Sequence, residues 1–335
     1  MRRFLKIFLN IALLVATGLL LWTYGQSINR YLGPSENLLS ETGFDKALFS
    51  EHKTASTFRF APNNPFWSDG AEKFRYLYLP PGEKIDNANP DRWNFPVGTR
   101  IWKDFVRDGI SVETRMLYKT GPNSWDWDMS VYAWREDYSD AEKLVFGKNN
   151  VKGTSHDIPS PKQCEACHSS GVHTRPLGLT AIQLPWADEN SLSMTRLIEM
   201  DLIANPPEGP YEIPGNDLVR AALGYFDTNC GSCHYEEATF VEEAVPLRLN
   251  LTIDSLAAVS LTNVYKTAIN GKPLLNGMGT EVYVHPGSPE DSFIYRRLAL
   301  RDGTLGWQMP PIASELVDHK AAELISEWIT SLAVE

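Results

Sequence analysis

The chain of 335 residues carries 31 Lys and Arg against 42 Asp and Glu, a formal charge of -11, with 43% hydrophobic and 22% charged residues. This composition excludes a disordered or collagen-like chain, and the length suggests two domains; the acidity, with no long Lys/Arg run, argues against a nucleic-acid partner, because phosphate binding needs clustered cations. Ten Trp, 13 Tyr and 14 Phe supply a large core without disulfide staples.

The N-terminus reads Met1-Arg2-Arg3-Phe4-Leu5-Lys6, followed by an apolar run from Ile7 to about Tyr24. Cations before an apolar stretch mark an export signal. The run is longer than a typical cleavable core and just reaches bilayer-spanning length, and no A-x-A site follows it. Residues 1-26 are therefore expected to be a signal anchor, with a cleaved signal peptide as the alternative and a buried core helix as the bland reading. Arg2, Arg3 and Lys6 would stay cytoplasmic and the rest would be exported. The exported part is acidic enough to steer a basic docking partner toward it.

Residues 27-214 have strand character. Lys73 to Leu79 alternates, and Gly98 to Val106, Val112 to Lys119 and Ser130 to Arg135 are β-branched or aromatic runs bounded by Gly, Pro, Asn and Asp, which predicts a β-sandwich or small barrel. After Pro159-Ser160-Pro161 comes Cys164-Glu165-Ala166-Cys167-His168, and then a short helix is expected from about Ser191 to Ile203. A Pro-rich stretch ending at Pro214 and Gly215 suggests a domain boundary.

Residues 215-335 carry four helical patterns. The first, with Leu218, Ala221, Ala222 and Tyr225 on one face and Asn216 or Asp217 as cap, delivers Cys230-Gly231-Ser232-Cys233-His234. Asp254 to about Asn270 and Pro289 to Leu300 are the next two, and Asp318 caps a last helix carrying Ala321, Leu324, Ile325, Trp328 and Leu332.

Both cysteine motifs are C-x-x-C-H, and they use all four cysteines of the chain. The spacing is that of covalent c-type haem attachment: two thiols add to two vinyl groups, and the adjacent imidazole is set under the iron. A four-cysteine zinc site usually spaces its pairs ~15 to 20 residues apart, whereas 62 residues lie between Cys167 and Cys230. A thioredoxin-like pair would not explain a histidine after both motifs, and a two-residue gap is poor for a structural disulfide. Two covalently bound haem c groups are expected, on Cys164 and Cys167 and on Cys230 and Cys233, with His168 and His234 as proximal iron ligands. Met309 is the candidate sixth ligand of the second haem, because Pro310 and Pro311 forbid helix and hold its thioether on an extended loop. The bland reading is a Met filling a core gap. For the first haem, His156, Met116, Met129, Met194, Met200 or no residue at all remains open, with His173 too close to His168 to reach the opposite face. No Ser-His-Asp set, Gly-rich phosphate loop or zinc motif points to a hydrolase or nucleotide enzyme, and no catalytic residue is assigned.

The C-terminal part resembles class I cytochrome c in Tyr225 to His234, Pro286-Gly287-Ser288-Pro289-Glu290-Asp291-Ser292, Met309-Pro310-Pro311 and Trp328. The resemblance implies an all-α cytochrome c-like domain, His/Met ligation, and first and last helices crossing near Gly224 and Trp328. Pro65-Phe66-Trp67-Ser68-Asp69-Gly70-Ala71-Glu72-Lys73-Phe74-Arg75, Phe95-Pro96-Val97-Gly98-Thr99, Val112-Glu113-Thr114-Arg115, Pro159 to Cys164, Leu177-Gly178 and Gln183-Leu184 resemble a bacterial family of exported diheme c-type cytochromes, from about Leu39 onward. Pro185 departs from that pattern, where Asn is expected. The fold class expected is α+β: a β-rich N-terminal domain with one haem motif, followed by an all-α cytochrome c-like domain. Trp67, Asp69, Lys73, Glu113 and Arg115 either line a functional surface or form a buried ion pair and aromatic core. The expected function is electron transfer by a membrane-anchored periplasmic diheme cytochrome, with an exported dehydrogenase, a quinol-oxidising complex or a small cytochrome as redox partner. The alternative is a haem enzyme of the diheme peroxidase type with an open first haem.

Overall fold

The alternating runs of the first half form one antiparallel sheet. In a computed structural model that describes residues 36-45, 56-169, 173-236, 245-273, 281-301, 308-312 and 314-332, β1 (Thr57–Phe60), β2 (Glu72–Tyr78), β4 (Arg100–Arg107), β5 (Ile110–Lys119), β6 (Trp127–Trp134) and β7 (Ala141–Leu144) lie in that order. β3 (Ile85–Asp86) instead pairs in parallel with β8 (Ile203–Ala204). Between β4 and β5, Asp108 and Gly109 both take positive φ, 52° and 78°, as a two-residue hairpin turn matched to strand twist requires. The sheet is an open meander, neither sandwich nor barrel.

Its register decides what each face carries, since residues directly opposite one another share a face. One rung is wholly apolar: Phe58, Leu77, Ile101, Leu117 and Met129. The next reads Phe60, Arg75, Lys103, Arg115 and Val131, and the one beyond it Lys73, Phe105, Glu113 and Ala133. The other face carries Tyr76, Trp102, Met116 and Tyr132, which pack on Leu39 and Phe44 from the segment before β1. The Trp102 indole N–H donates to Thr42 Oγ1 at 3.0 Å, so this face is sealed by a buried, satisfied aromatic core.

Helix α1 (Pro161–His168) carries the first motif. Ser160 and Gln163 form a reciprocal capping box and Pro161 occupies the first turn, which fixes where the helix starts. Cys164 packs against the apolar clusters on both sides of the charged rung. Helix α2 (Met194–Glu199) is shorter than its sequence pattern suggests, and starts at Ser193.

The expectation of an all-α cytochrome c-like second domain is overturned. The chain as a whole is β-rich, built on the six-stranded sheet, and among the described residues it has only six α-helices. Two of them are substantial in the C-terminal part: α3 (Asp217–Asn229) and α6 (His319–Ser331), capped by Asn216 and Asp318 as their sequences predict. The helix expected over residues 254-270 is instead two 3-10 turns and the five-residue α4 (Asn263–Thr267). The pattern from Pro289 gives a 3-10 turn and then α5 (Phe293–Ala299). Hydroxyls cause the breaks: Ser255 Oγ donates to Thr252 O at 2.7 Å, Thr262 Oγ1 to Val259 O at 2.8 Å and Ser292 Oγ to Ser288 O at 2.9 Å. These local bonds compete with the helical ladder. Bridges between Ile269 and Val284 and between Val282 and Ser292 replace it with extended pairing.

The C-terminal part is also closed by the N-terminal part. Asn229 Oδ1 accepts from Trp67 N at 2.7 Å while its Nδ2 donates to Pro65 O at 3.0 Å. The buried Asp69 carboxylate accepts from Glu315 N at 2.9 Å and Leu316 N at 2.8 Å, and the Trp67 indole donates to Leu316 O at 3.2 Å. Helices α3 and α6 do pack together, Phe226 meeting Trp328 edge-on at 5.3 Å between ring centroids. Gly224, however, is spared a side chain for another reason: a Cβ there would come within 2.5 Å of Asn64 Nδ2, in the N-terminal part. Among the described residues no helix is long and apolar enough to cross a membrane, and the export segment, residues 1-26, lies outside them.

Candidate functional site

The second motif opens into a cavity of about 180 Å3. Cys230, Cys233 and His234 line it where α3 ends, and Met309 lines it from the Pro310-Pro311 loop. The remaining wall is mostly apolar, with Phe226, Leu249, Phe293 and Leu298. The structure thus brings together the two thiols, the imidazole and the thioether that the sequence singled out. Met309 is held by its backbone: its N–H donates to Arg297 O at 2.9 Å and its carbonyl accepts from Arg301 at 3.3 Å.

The donor set suits a c-type haem. Burial pushes the His234 imidazole down to about 4, with the Leu247 carbonyl opposing, so the ring stays neutral, which is its ligating form. The buried Tyr225 hydroxyl, also on the cavity wall, has no hydrogen-bond partner; such an atom is costly unless something in the cavity accepts or donates to it. Burial also raises the Cys230 thiol to about 12, so that no free thiolate is favoured there.

At the first motif the imidazole is oriented from outside the motif. His168 Nδ1 lies 2.9 Å from Arg175 O. A carbonyl only accepts, so Nδ1 carries the proton and Nε2 keeps its lone pair, the arrangement typical of a histidine that binds a metal through Nε2. Burial lowers this ring to about 4 as well, opposed by the Arg175 carbonyl.

The two motifs adjoin. Cys233 Sγ donates to Ala166 O at 3.3 Å, and Ala166 and Cys167 form part of the wall of the second motif's cavity. The neighbouring Cys233 thiol lowers the Cys167 thiol, against burial and with help from Arg115 and Lys103. Arg175 ties the junction: its guanidinium donates to Gly231 O and Ser232 O, both at 3.0 Å, and stacks on Tyr235 at 4.2 Å. Sequence reasoning missed Arg175, and its only signal was its place just after the first motif. Among the described residues no group of three or more His, Cys, Asp or Glu is placed to hold a metal ion by itself.

The candidates for the first sixth position separate. His156 is buried with Nε2 2.7 Å from Glu113 Oε1, and Met116 lies on the far face of the sheet. Met200 is 42% exposed. Met129 and Met194 belong to the apolar cluster against which Cys164 packs. His173 pairs its Nδ1 with Ser124 Oγ at 2.7 Å. Trp67 and Asp69 serve the junction between the two parts, while Glu113 and Arg115 form a buried bidentate ion pair at 2.6 and 2.9 Å. The loop at Pro185 is well bonded, its carbonyl accepting from Met194 N at 2.8 Å, and Gln183 Nε2 reaches Asp227 Oδ2 across the junction at 2.9 Å. Compared with known proteins, the chain matches no family model, no curated protein and no solved structure.

Proposed function

We propose that the chain is a diheme c-type cytochrome, exported and held at the periplasmic side of the inner membrane by residues 1-26, that relays electrons between redox proteins. The observation that carries this reading is the contact between its two C-x-x-C-H motifs, Cys233 on Ala166 and Arg175 on Gly231 and Ser232. Two attachment sites so joined suit a relay between them better than two independent functions. When bound, each haem supplies a one-electron iron couple.

The chain's own residues do the rest. Cys164 and Cys167, and Cys230 and Cys233, would form the thioether links, while neutral His168 would offer Nε2 and neutral His234 a ring nitrogen. Met309, on the wall of the same cavity as His234, would offer a thioether as the other ligand, one that raises the potential relative to histidine. The apolar wall around the second motif keeps water from that site, so little reorganisation accompanies electron gain or loss. The acidic balance of the chain favours a basic face on its redox partner, an exported dehydrogenase, a quinol-oxidising complex or a small cytochrome.

A second reading, a haem enzyme of the diheme peroxidase type with an open first site, draws on one observation. His156, Met116 and Met200 are committed elsewhere or exposed, and a buried Arg115, Glu113 and His156 set stands on the sheet face that α1 covers. Ferric, ferrous and ferrous-plus-CO spectra of the matured chain separate the two. Two low-spin haems indifferent to CO support the relay. One high-spin, CO-binding haem, with peroxide turnover lost in His168→Ala and kept in Met309→Ala, supports the enzyme.

A further inference from the structure

Across the sheet face beneath α1 runs a rung of cations with too few anions. Arg75, Lys103 and Arg115 sit directly opposite one another on three neighbouring strands, flanked by Phe60 and Val131, and Lys73 lies beside them in the next rung. Like charges in register destabilise a sheet, and burying them raises the cost. Burial lowers Lys73 to about 7, with Arg75 and Arg115 adding to the effect, and pulls Lys103 well below its ordinary range.

The anions at hand do not balance this row. Glu113 is spent on Arg115 and His156. The Asp69 oxygens are taken by Glu315 N and Leu316 N; Asp318 and Asp69 act electrostatically on Lys73, whose ammonium also donates to Phe66 O at 2.5 Å, so the unanswered members of the row are Arg75 and Lys103. Arg75 is 6% exposed, and its Nε and Nη2 have no hydrogen-bond partner. Its guanidinium lies 5.6 Å from the Phe66 ring centre, and Lys103 Nζ lies 5.2 Å from the same ring. A buried guanidinium with two idle donors beside an ammonium matches an oxyanion with two oxygens. The row reaches the first motif: Lys103 and Arg115 both act electrostatically on Cys167 and His168.

We propose that Arg75 and Lys103, with Lys73 beside them, form a carboxylate receptor that holds the propionates of the haem attached at Cys164 and Cys167. The proposal rests on the diheme reading above and adds to it the residues that seat the first group's acidic edge. A propionate edge supplies two negative charges, enough to offset Arg75 and Lys103, and a cation beside the iron favours its reduced form.

The test uses the matured full chain and the variants Arg75→Gln and Lys103→Gln, with Lys103→Arg as a charge-keeping control. Intact mass counts haems on each motif, spectroelectrochemistry gives both midpoint potentials, and redox-difference infrared spectra report the carboxylate bands. The expected result is two haems retained, a lower first potential in both Gln variants, an unmoved second potential, shifted propionate bands, and recovery in Lys103→Arg. Unmoved propionate bands and an unmoved first potential overturn the proposal. A saturable response of wild type to added acetate or sulfate, lost in Arg75→Gln, also overturns it, by giving the row to a diffusible anion. A wild-type chain with no haem on Cys164 and Cys167 fails the diheme reading itself, and the mass shows this before any variant is made.

Discussion

The two C-x-x-C-H motifs share a spacing and little else. The second sits at the end of a 13-residue helix and opens into a mostly apolar cavity whose wall includes Met309. The first sits on an eight-residue helix laid over a sheet face with four cations in two adjacent rungs. Its imidazole is oriented by Arg175, a residue of the following loop. On the diheme reading, the difference teaches that the motif would specify attachment while the environment would set potential and access: Met309 and an apolar wall for one, buried charge for the other.

Met309→Ala strikes the comparison hardest. On the diheme reading, the haem at Cys230 and Cys233 is expected to lose its sixth ligand, bind CO and fall in potential, with both haems still attached and the other unchanged; CO difference spectra and a redox titration read this. Glu113→Ala attacks the other side. It leaves Arg115 and His156 buried without their carboxylate, and breaking one partner of such a pair costs about 3 to 5 kcal/mol, measured by denaturant unfolding, with the second haem's spectrum unmoved. Arg175→Ala addresses the junction itself. Losing a guanidinium that serves two carbonyls is expected to cost about 2 to 3 kcal/mol, measured by denaturant unfolding, while His168 keeps its bond because its acceptor is the backbone carbonyl of residue 175.

The smallest effect concerns the contact between the two parts. Burial raises the Asp91 carboxyl to about 6, although its oxygen accepts from Ile253 N at 3.0 Å. A folded value above the unfolded one, about 3.9, means the folded chain binds more protons between these pH values. Stability therefore falls as pH rises from about 4 to 6. Asp91→Asn, which keeps the accepting oxygen, is expected to raise the melting temperature at pH 7, with the gain gone at pH 4. A gain of equal size at both pH values would show that ionisation is not its cause.

Much of this was legible in sequence, for local reasons. Alternation marked the strands, Asp108-Gly109 is a hairpin signal, and Ser160-Pro161 with Gln163 writes the start of α1 into the chain. That Met309 would stand near the second motif was legible from the two prolines that hold its loop extended, and it lines the cavity there. The helices expected over residues 254-270 failed because hydroxyl-to-carbonyl bonds at Ser255 and Thr262 are invisible to apolar periodicity. The charged rung was hidden too, since Arg75, Lys103 and Arg115 are neighbours only through strand register, and Trp67 and Asp69 acquire their roles from residues more than 200 positions away. Arg175, an unremarkable residue in a loop, became visible only when both motifs were seen to meet on it.

The most direct test of the account is the intact mass of the chain after maturation with haem, followed by proteolysis to locate each group. Two haems per chain, one on the peptide with Cys164 and Cys167 and one on that with Cys230 and Cys233, is the result the account predicts. A chain that matures fully yet carries haem on one motif alone, or on neither, would contradict it.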